Sequence, residues 1–405
     1  MGYSVDAAKG FSWQTLHKII TTLLAVAKIY ILARILLPTD FGLFSLTAIA
    51  LGLTESFTQT GINLTIMQSN KDTKKFIDTA WIISIIRGLL ISIIMIILGI
   101  FMSQYFQEPI LFSLILVASL VPFIKGFINP YIVSLQRDLK FFHDTLYRFS
   151  FIFVEIVLVI IFAIYLKNVW AFIYALIGGA IFEVLISHLF FKHKPKLKYD
   201  KKIGSLIFQN AKWLNPAAIL NYLNEQIDNL LIGKQFHSYL LGIYQNSYAL
   251  SHRPNYELSK SMHHGIMPIF SKIFNQKERL RKAFLKSLFA MTVIAFFASL
   301  PFMIFPKLSI EILLGNKWLE AIPLIRPLIL AGFLQSISTI FHTLFLSIKK
   351  YWIVNTHLLI SLVLMVFLIP ALGTSFGIVG SIYGIFLSRL ISLPILIWGF
   401  FKHAE

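Results

Sequence analysis

Among 405 residues there is no cysteine, and that absence removes disulfides, thiolate metal sites and thiol nucleophiles together. Acidic side chains are scarce, 18 against 36 Lys and Arg, and charged residues of either sign make up only 13% of the chain. A soluble domain of this length carries far more charge on its surface. Also missing are a Gly-rich phosphate loop between strand and helix, a nucleophile elbow, and histidines spaced to ligate a metal from one helix face. His263 and His264 are adjacent, so on a helix they diverge. The start, MGYSVDAAKGFSWQTLHKII, has no apolar core followed by a cleavage site, and Asp6 stands where a myristoylation signal needs Ser or Thr.

What fills the chain instead is hydrocarbon: 57% of residues are hydrophobic and the mean hydropathy is +0.76. Each helical crossing of a bilayer takes about 20 residues. Breaking the apolar runs at charge clusters and at Pro, Gly and Asn predicts twelve spans, the first six near 11–37, 40–66, 76–102, 109–133, 142–166 and 168–191. The second six fall near 212–236, 239–268, 283–305, 321–347, 352–370 and 375–401. Between 306 and 320 the apolar spacing predicts a short helix lying at the interface.

The net charge of +18 is mostly topology. With the N-terminus inside, one side of the membrane collects Lys71, Lys74 and Lys75, then Arg137 and Lys140, the stretch KHKPKLKYDKK (192–202), residues 272–282, and Lys349 and Lys350. The other side keeps Lys167, Lys307 and Lys317, which by the positive-inside rule puts both termini in the cytoplasm. Basic loops offer nothing specific to nucleic acid.

The 192–202 stretch sits at the midpoint, and an offset of 200 aligns Trp13 with Trp213, Arg34 with Lys234, Gly42 with Gly242 and Phe44 with Tyr244. The expected fold is therefore all-α, with about twelve transmembrane helices in two pseudo-symmetric six-helix lobes around a central cavity. The lobes would be residues 1–195 and 211–405, joined by a cytoplasmic linker at 196–210. An even number of spans per lobe makes the repeats parallel.

Charges inside a bilayer are costly, so they default to lining a polar cavity unless they sit near a helix end and reach the interface. Lys28, Glu225 and Asp228 fall near mid-depth; Arg34 and Lys234 lie closer to helix ends and read either way. Asn246, Arg253, Glu257, Lys260 and His264 are spaced to share one face of the eighth span, which Pro254 should kink. Glu55, Gln59 and Asn63 form a weaker stripe on the second, and Arg87, Arg148, Glu155, Glu183, Arg326 and Arg389 are further candidates. Cations Lys28, Arg34, Arg87, Lys234, Arg253 and Lys260, with polar Asn246 and Glu257, suit an anionic cargo. Glu55, Glu155, Glu225 and Asp228 are the candidates for binding a coupling H⁺ or Na⁺.

These residues resemble a family. Trp13 followed by LARILLPTDFGLFSL, QTGINLTIMQ (59–68), QIDNLLIGKQFHSYLLGIYQNSYAL (226–250) and LLGNKWLEAIPLIRPL (313–328) are similar to segments of the polysaccharide (O-antigen-type) flippases in the multidrug/oligosaccharidyl-lipid/polysaccharide exporter superfamily. Thr60 departs from the acidic residue usual before the glycine of the second span. The resemblance implies a non-enzymatic transporter in the bacterial cytoplasmic membrane that moves an undecaprenyl-diphosphate-linked oligosaccharide to the outer leaflet by alternating access. It implies no cofactor beyond a coupling H⁺ or Na⁺, and partners limited to that substrate, membrane lipids and glycan polymerase or assembly proteins. Two other readings stand beside it: a drug/ion antiporter of the same superfamily, and a membrane polysaccharide polymerase or ligase. An antiporter for cationic drugs calls for an acid-dominated cavity, and a polymerase for a long outer loop bearing catalytic Arg or His.

Overall fold

A computed structural model describes residues 20–57, 73–138, 140–191 and 194–403, without the side chains of 57, 73–75 and 210–221. Trp13, the 59–68 segment with Gln59, Thr60 and Asn63, and Lys71 lie outside the described residues, as do the side chains of Lys74, Lys75 and Trp213. No strand occurs among the described residues, and helix occupies each of the twelve predicted spans. In chain order the helices are α1 (20–35), α2 (Pro38–Phe57), α3 (Thr73–Phe106), α4 (Pro109–Lys125), α5 (Val133–Arg137), α6 (Phe141–Leu166) and α7 (Trp170–Phe190). There follow α8 (Lys201–Ser251), α9 (Arg253–Ile273), α10 (Lys277–Ile304), α11 (Pro306–Leu313), α12 (Ile322–Ser347) and α13 (Tyr351–His403). Among the described residues six helices are long and apolar enough to cross a membrane, and α4 with the bent segment Pro130–Arg137 makes a seventh if counted as one broken span. Both legs of α8 and α9 are helical but too polar for that criterion.

The chain divides by compactness into Met1–Leu223 and Asn224–Glu405, so the division falls inside α8. Helix α8 begins at Lys201, earlier than the predicted 212, because Ile203 and Ile207 pack with Ala80 of α3 and Val133 of α5. The preceding non-helical stretch is held to α3 as well: the Lys196 amide donates to Asp78 Oδ1 and the Asp200 amide to Thr79 Oγ1.

Helix α2 starts where the sequence says a helix should. Pro38 occupies its first turn, and Asp40 reaches back so that the Leu37 amide donates to its carboxylate at 2.9 Å. Phe41 and Phe44 then pack on Phe172 of α7, the second by stacking at 4.3 Å. The predicted span 109–133 is not straight: it bends by 65° across 126–129, where Gly126 meets the backbone of α3 too closely for a side chain. Carbonyls freed at that bend find side chains. Trp81 Nε1 donates to the Phe127 oxygen at 3.1 Å, His188 Nε2 lies 3.0 Å from the same atom, and the Asn129 amide donates to Ser187 Oγ.

In the second unit two long helices fold back on themselves. Helix α8 reverses at His237 (φ 58, ψ −176) and α13 at Gly377 (φ 64, ψ −159), a backbone region that only glycine occupies without strain. The two legs of α13 approach until a Cβ on Gly380 would run into the Leu372 carbonyl, and Ser381 Oγ donates to the Ile369 oxygen across the gap. The eighth predicted span is likewise two pieces. Helix α8 ends at Ser251 and α9 begins at Arg253, with Pro254 in its first turn, where a missing amide costs no helical hydrogen bond. A short helix does form between 306 and 320, as α11, followed by a 3₁₀ turn, Asn316–Ala321, that buries Trp318 completely.

Relieving the turn of α8 should stabilise the protein. His237→Gly is expected to gain about 1 kcal/mol, and Gly380→Val to lose about 1–3 kcal/mol by overpacking the α13 hairpin; thermal unfolding of the purified protein measures both.

Candidate functional site

The first unit gathers charge from five helices. Lys125 at the end of α4 lies 3.4 Å from Glu183 Oε2 on α7, with side-chain exposures of 39% and 12%, and Glu55 and Glu155 are close enough to act on the same cation. Glu155 on α6 lies along the space that a side chain at Gly179 of α7 would fill. Arg87 on α3 donates from Nη2 to the Glu55 carbonyl of α2 at 3.4 Å, and its buried Nε has no partner among the described residues. Two of the expected coupling carboxylates, Glu55 and Glu155, therefore share a charged cluster with Arg87. Its central cation, Lys125, escaped the sequence reading. It falls inside the predicted span 109–133 and meets Glu183 of α7 where that span bends.

Arg34 serves its own helix instead. Its Nη1 donates to the Tyr30 carbonyl at 3.0 Å and its guanidinium stacks 3.7 Å from the Tyr30 ring centroid, an exposed arrangement that keeps the cation at the end of α1. Lys28 is half-buried on the same helix.

In the second unit the expected polar face separates into two parts. Arg253, Lys260 and His264 are exposed on α9, and Arg253 Nε stands 3.8 Å from Glu257 Oε1. Tyr256 OH donates to exposed Glu225 of α8 at 2.9 Å, while the Lys260 ammonium lies 5.5 Å from the Tyr256 ring centroid. Glu225, Arg253, Tyr256, Glu257 and Lys260 thus form one polar patch carried by two helices. Asn246 is not part of it: the break at His252 puts it on a separate helix, where it is 3% exposed. The opposite side of α9 packs inward, with Asn255 donating to Ser299 and Ser259 buried against α12. Lys234 is exposed near the reversal of α8.

Asp228 is 5% exposed and both carboxylate oxygens are engaged, one by Tyr244 OH at 2.5 Å across the α8 hairpin and one by the Asn229 amide at 2.8 Å. Beside it Gln245 donates to Asn229, which donates to Gln226. Arg389, a sequence candidate of unknown depth, is buried; its Nη1 bonds His252 Nε2 and donates to the Ala331 carbonyl at 3.0 Å. Arg148 pairs with Asp144 on its own helix at 3.1 Å, and exposed Arg326 donates to the Met303 carbonyl. Among the described residues no group of three or more His, Asp or Glu is placed to hold a metal ion.

Apolar helices long enough to cross a membrane, several of them folded into antiparallel pairs, define a multi-pass membrane protein. Solved structures share the fold: an inward-facing multidrug resistance MATE family transporter of the MOP superfamily matches with a TM-score of 0.71 at 13% identity, over 95% of this chain and 94% of that one. The lipid II flippase MurJ in an inward closed conformation matches with a TM-score of 0.74 at 15% identity, over 95% and 86% of the two chains. The chain belongs to the polysaccharide biosynthesis protein family, whose profile matches residues 31–323. An uncharacterized membrane protein of the cps region in Klebsiella pneumoniae is 26% identical over 97% of this chain and 81% of its own length. The lipopolysaccharide biosynthesis protein WzxC of Escherichia coli is 22% identical over 81% of this chain and 67% of its own, and the teichuronic acid biosynthesis protein TuaB of Bacillus subtilis 21% identical over 80% and 68%. The resemblance read from residues 226–250 and 313–328 is thereby shown at the level of the family.

Lys125→Met and Glu183→Gln should each destabilise the first unit by about 1–3 kcal/mol, below the range for fully buried pairs because Lys125 keeps access to water. The double substitution should recover part of that loss in a thermal-unfolding double-mutant cycle.

Proposed function

We propose that this chain is a flippase that carries an oligosaccharide linked to undecaprenyl diphosphate from the inner to the outer leaflet of the bacterial cytoplasmic membrane by alternating access. The observation that carries the reading is the exposed patch of Arg253, Lys260, Tyr256, Glu257 and Glu225 on helices of a polysaccharide-biosynthesis family member. A diphosphate in a poorly hydrated site needs cationic donors, Arg above all because its planar fork matches phosphate oxygens, while carboxylates and a phenol hydrogen-bond sugar hydroxyls. The lipid tail needs no site, since it stays in the bilayer. Relatives named for lipopolysaccharide and teichuronic acid biosynthesis, and a fold shared with a lipid II flippase, support the same cargo class.

Within this reading Arg253 is the principal diphosphate ligand and Lys260 its neighbour, with Lys28, Arg87 and Lys234 as further contacts along the path. In this reading both termini lie in the cytoplasm, the orientation that fits the loop charges. Transport is driven by an H⁺ or Na⁺ gradient rather than by ATP, with Glu55, Glu155, Glu225 and Asp228 as the carboxylates that would bind the coupling ion.

The antiporter alternative draws on the likeness to the MATE transporter. Its cationic cargo would meet the exposed cations Arg253 and Lys260 on that patch.

Deleting the gene should make lipid-linked glycan accumulate on the inner leaflet, with rescue by the intact gene. Arg253→Ala should fail to rescue, lowering surface polymer about tenfold or more, which is the loss of one charge-assisted hydrogen bond. A normal leaflet distribution in the deletion strain, with altered drug susceptibility, would favour the antiporter instead.

A further inference from the structure

At one end of the first unit, between Phe190 at the close of α7 and Lys201 at the start of α8, the chain from 194 to 200 is non-helical yet tied down. Pro195 is buried, the Lys196 amide donates to Asp78 Oδ1 at 2.8 Å, and the Asp200 amide donates to Thr79 Oγ1 at 3.0 Å, both acceptors belonging to α3. Asp200 also caps α8, its carboxylate accepting from the Lys202 amide at 2.8 Å. The Tyr199 ring lies across Gly204, where any side chain would collide with it.

Lys194, Lys196 and Lys198 on this strap, with Lys201 and Lys202 in the first turn of α8, are all exposed. None of the five lies within ion-pair distance of a carboxylate among the described residues, and the carboxylates of Asp78 and Asp200 are engaged by backbone amides. Between the lysines Leu197 is 74% exposed and Tyr199 58%, and α8 adds exposed Leu206 and Phe208 while Ile203 and Ile207 pack inward. Bathed in water, this surface would keep apolar area wet and hold like charges together, both unfavourable. Facing lipid phosphates, the same groups gain on both counts. Helix α7 reaches the strap through exposed Leu185 and Leu189, the apolar face of a span-length helix, so the lysines begin where the hydrocarbon ends. Orienting a loop across a membrane takes only its charge count. Fastening its backbone to α3 is a separate feature, and lysines on a held backbone lose less freedom when they bind an anion.

We infer that the strap 194–202 and the first turns of α8 form a docking surface for the headgroups of anionic phospholipid. The lysines meet the phosphates, while Leu197, Tyr199 and Phe208 enter among the glycerol groups and first methylenes, so the start of α8 is held to the leaflet through the strap. Each lysine kept near an anionic leaflet contributes about fivefold in affinity. In the orientation that fits the loop charges this is the inner leaflet; that assignment belongs to the reading above, and headgroup docking itself does not depend on it.

The test places the full-length chain in nanodiscs of phosphatidylcholine alone or mixed with phosphatidylglycerol; both faces of a disc carry the same lipid, so orientation drops out. The cysteine-free sequence permits one spin label at exposed Leu197→Cys, where the nitroxide keeps an apolar group. Adding phosphatidylglycerol should protect the label from a water-soluble nickel chelate while its access to oxygen rises. K196Q/K198Q, which removes only exposed charge, should lose that protection, whereas the matched change K282Q/K286Q, also of exposed lysines but on α10, should keep it. Equal protection in both lipids, its persistence in K196Q/K198Q, or an equal loss in K282Q/K286Q would overturn the inference. Protection produced in phosphatidylcholine discs by inorganic phosphate alone would assign the lysines to a soluble anion and overturn it as well. No glycan is present in this experiment, so its failure is separate from a failure of the flippase reading.

Discussion

Inside a bilayer no water is available to a peptide group, so every backbone N–H and C=O must find its partner within the protein. Unbroken helices meet that requirement by themselves. This chain interrupts its helices at 126–129, at His237, at His252 and at Gly377, and polar side chains cluster around each interruption. Phe127 is served by Trp81 and His188, Ile369 by Ser381, and the Pro370 carbonyl by Gln235 Nε2 from α8 at 3.2 Å. Much of the buried polarity is therefore structural, a consequence of bending and reversing helices.

The same constraint explains the hydroxyls. Thr47, Thr54, Ser247, Ser251 and Ser336 donate to carbonyls one turn back on their own helices, so they enter the interior already satisfied. Glycine has the complementary task of letting backbones touch. Gly88, Gly126, Gly332 and Gly384 each face a neighbouring backbone at a distance that leaves no room for a Cβ, the small-residue packing by which membrane helices associate without a hydrophobic driving force between them. What is left after these two uses is a short list of charges. Lys125 with Glu183, Glu55 and Glu155 belongs to one unit, and the Arg253–Lys260 patch and Arg389 belong to the other.

Most of the helix content was legible because apolar runs of span length have few alternatives, and the cap at Pro38 and Asp40 and the buried Trp318 gave local reasons for the segments that resemble the family. The candidate site was legible in type and only partly in place. Helical spacing put Asn246 in line with Arg253, but tertiary packing buries Asn246 and leaves Arg253 exposed. Lys125 carried no signal of its own, because its neighbours along the chain say nothing of α7.

Composition alone determined that the chain lives in a membrane, since hydrocarbon solvent admits only long apolar segments and tolerates few charges. The order of helices and the side on which basic loops collect are also properties of the linear chain, set by insertion energies that act segment by segment. Tertiary structure decided which of the rare polar groups meet. That depends on where helices bend and how closely glycines let them approach, and hydrogen bonds such as Tyr244 to Asp228 or Ser392 to His357 exist only once those bends are in place.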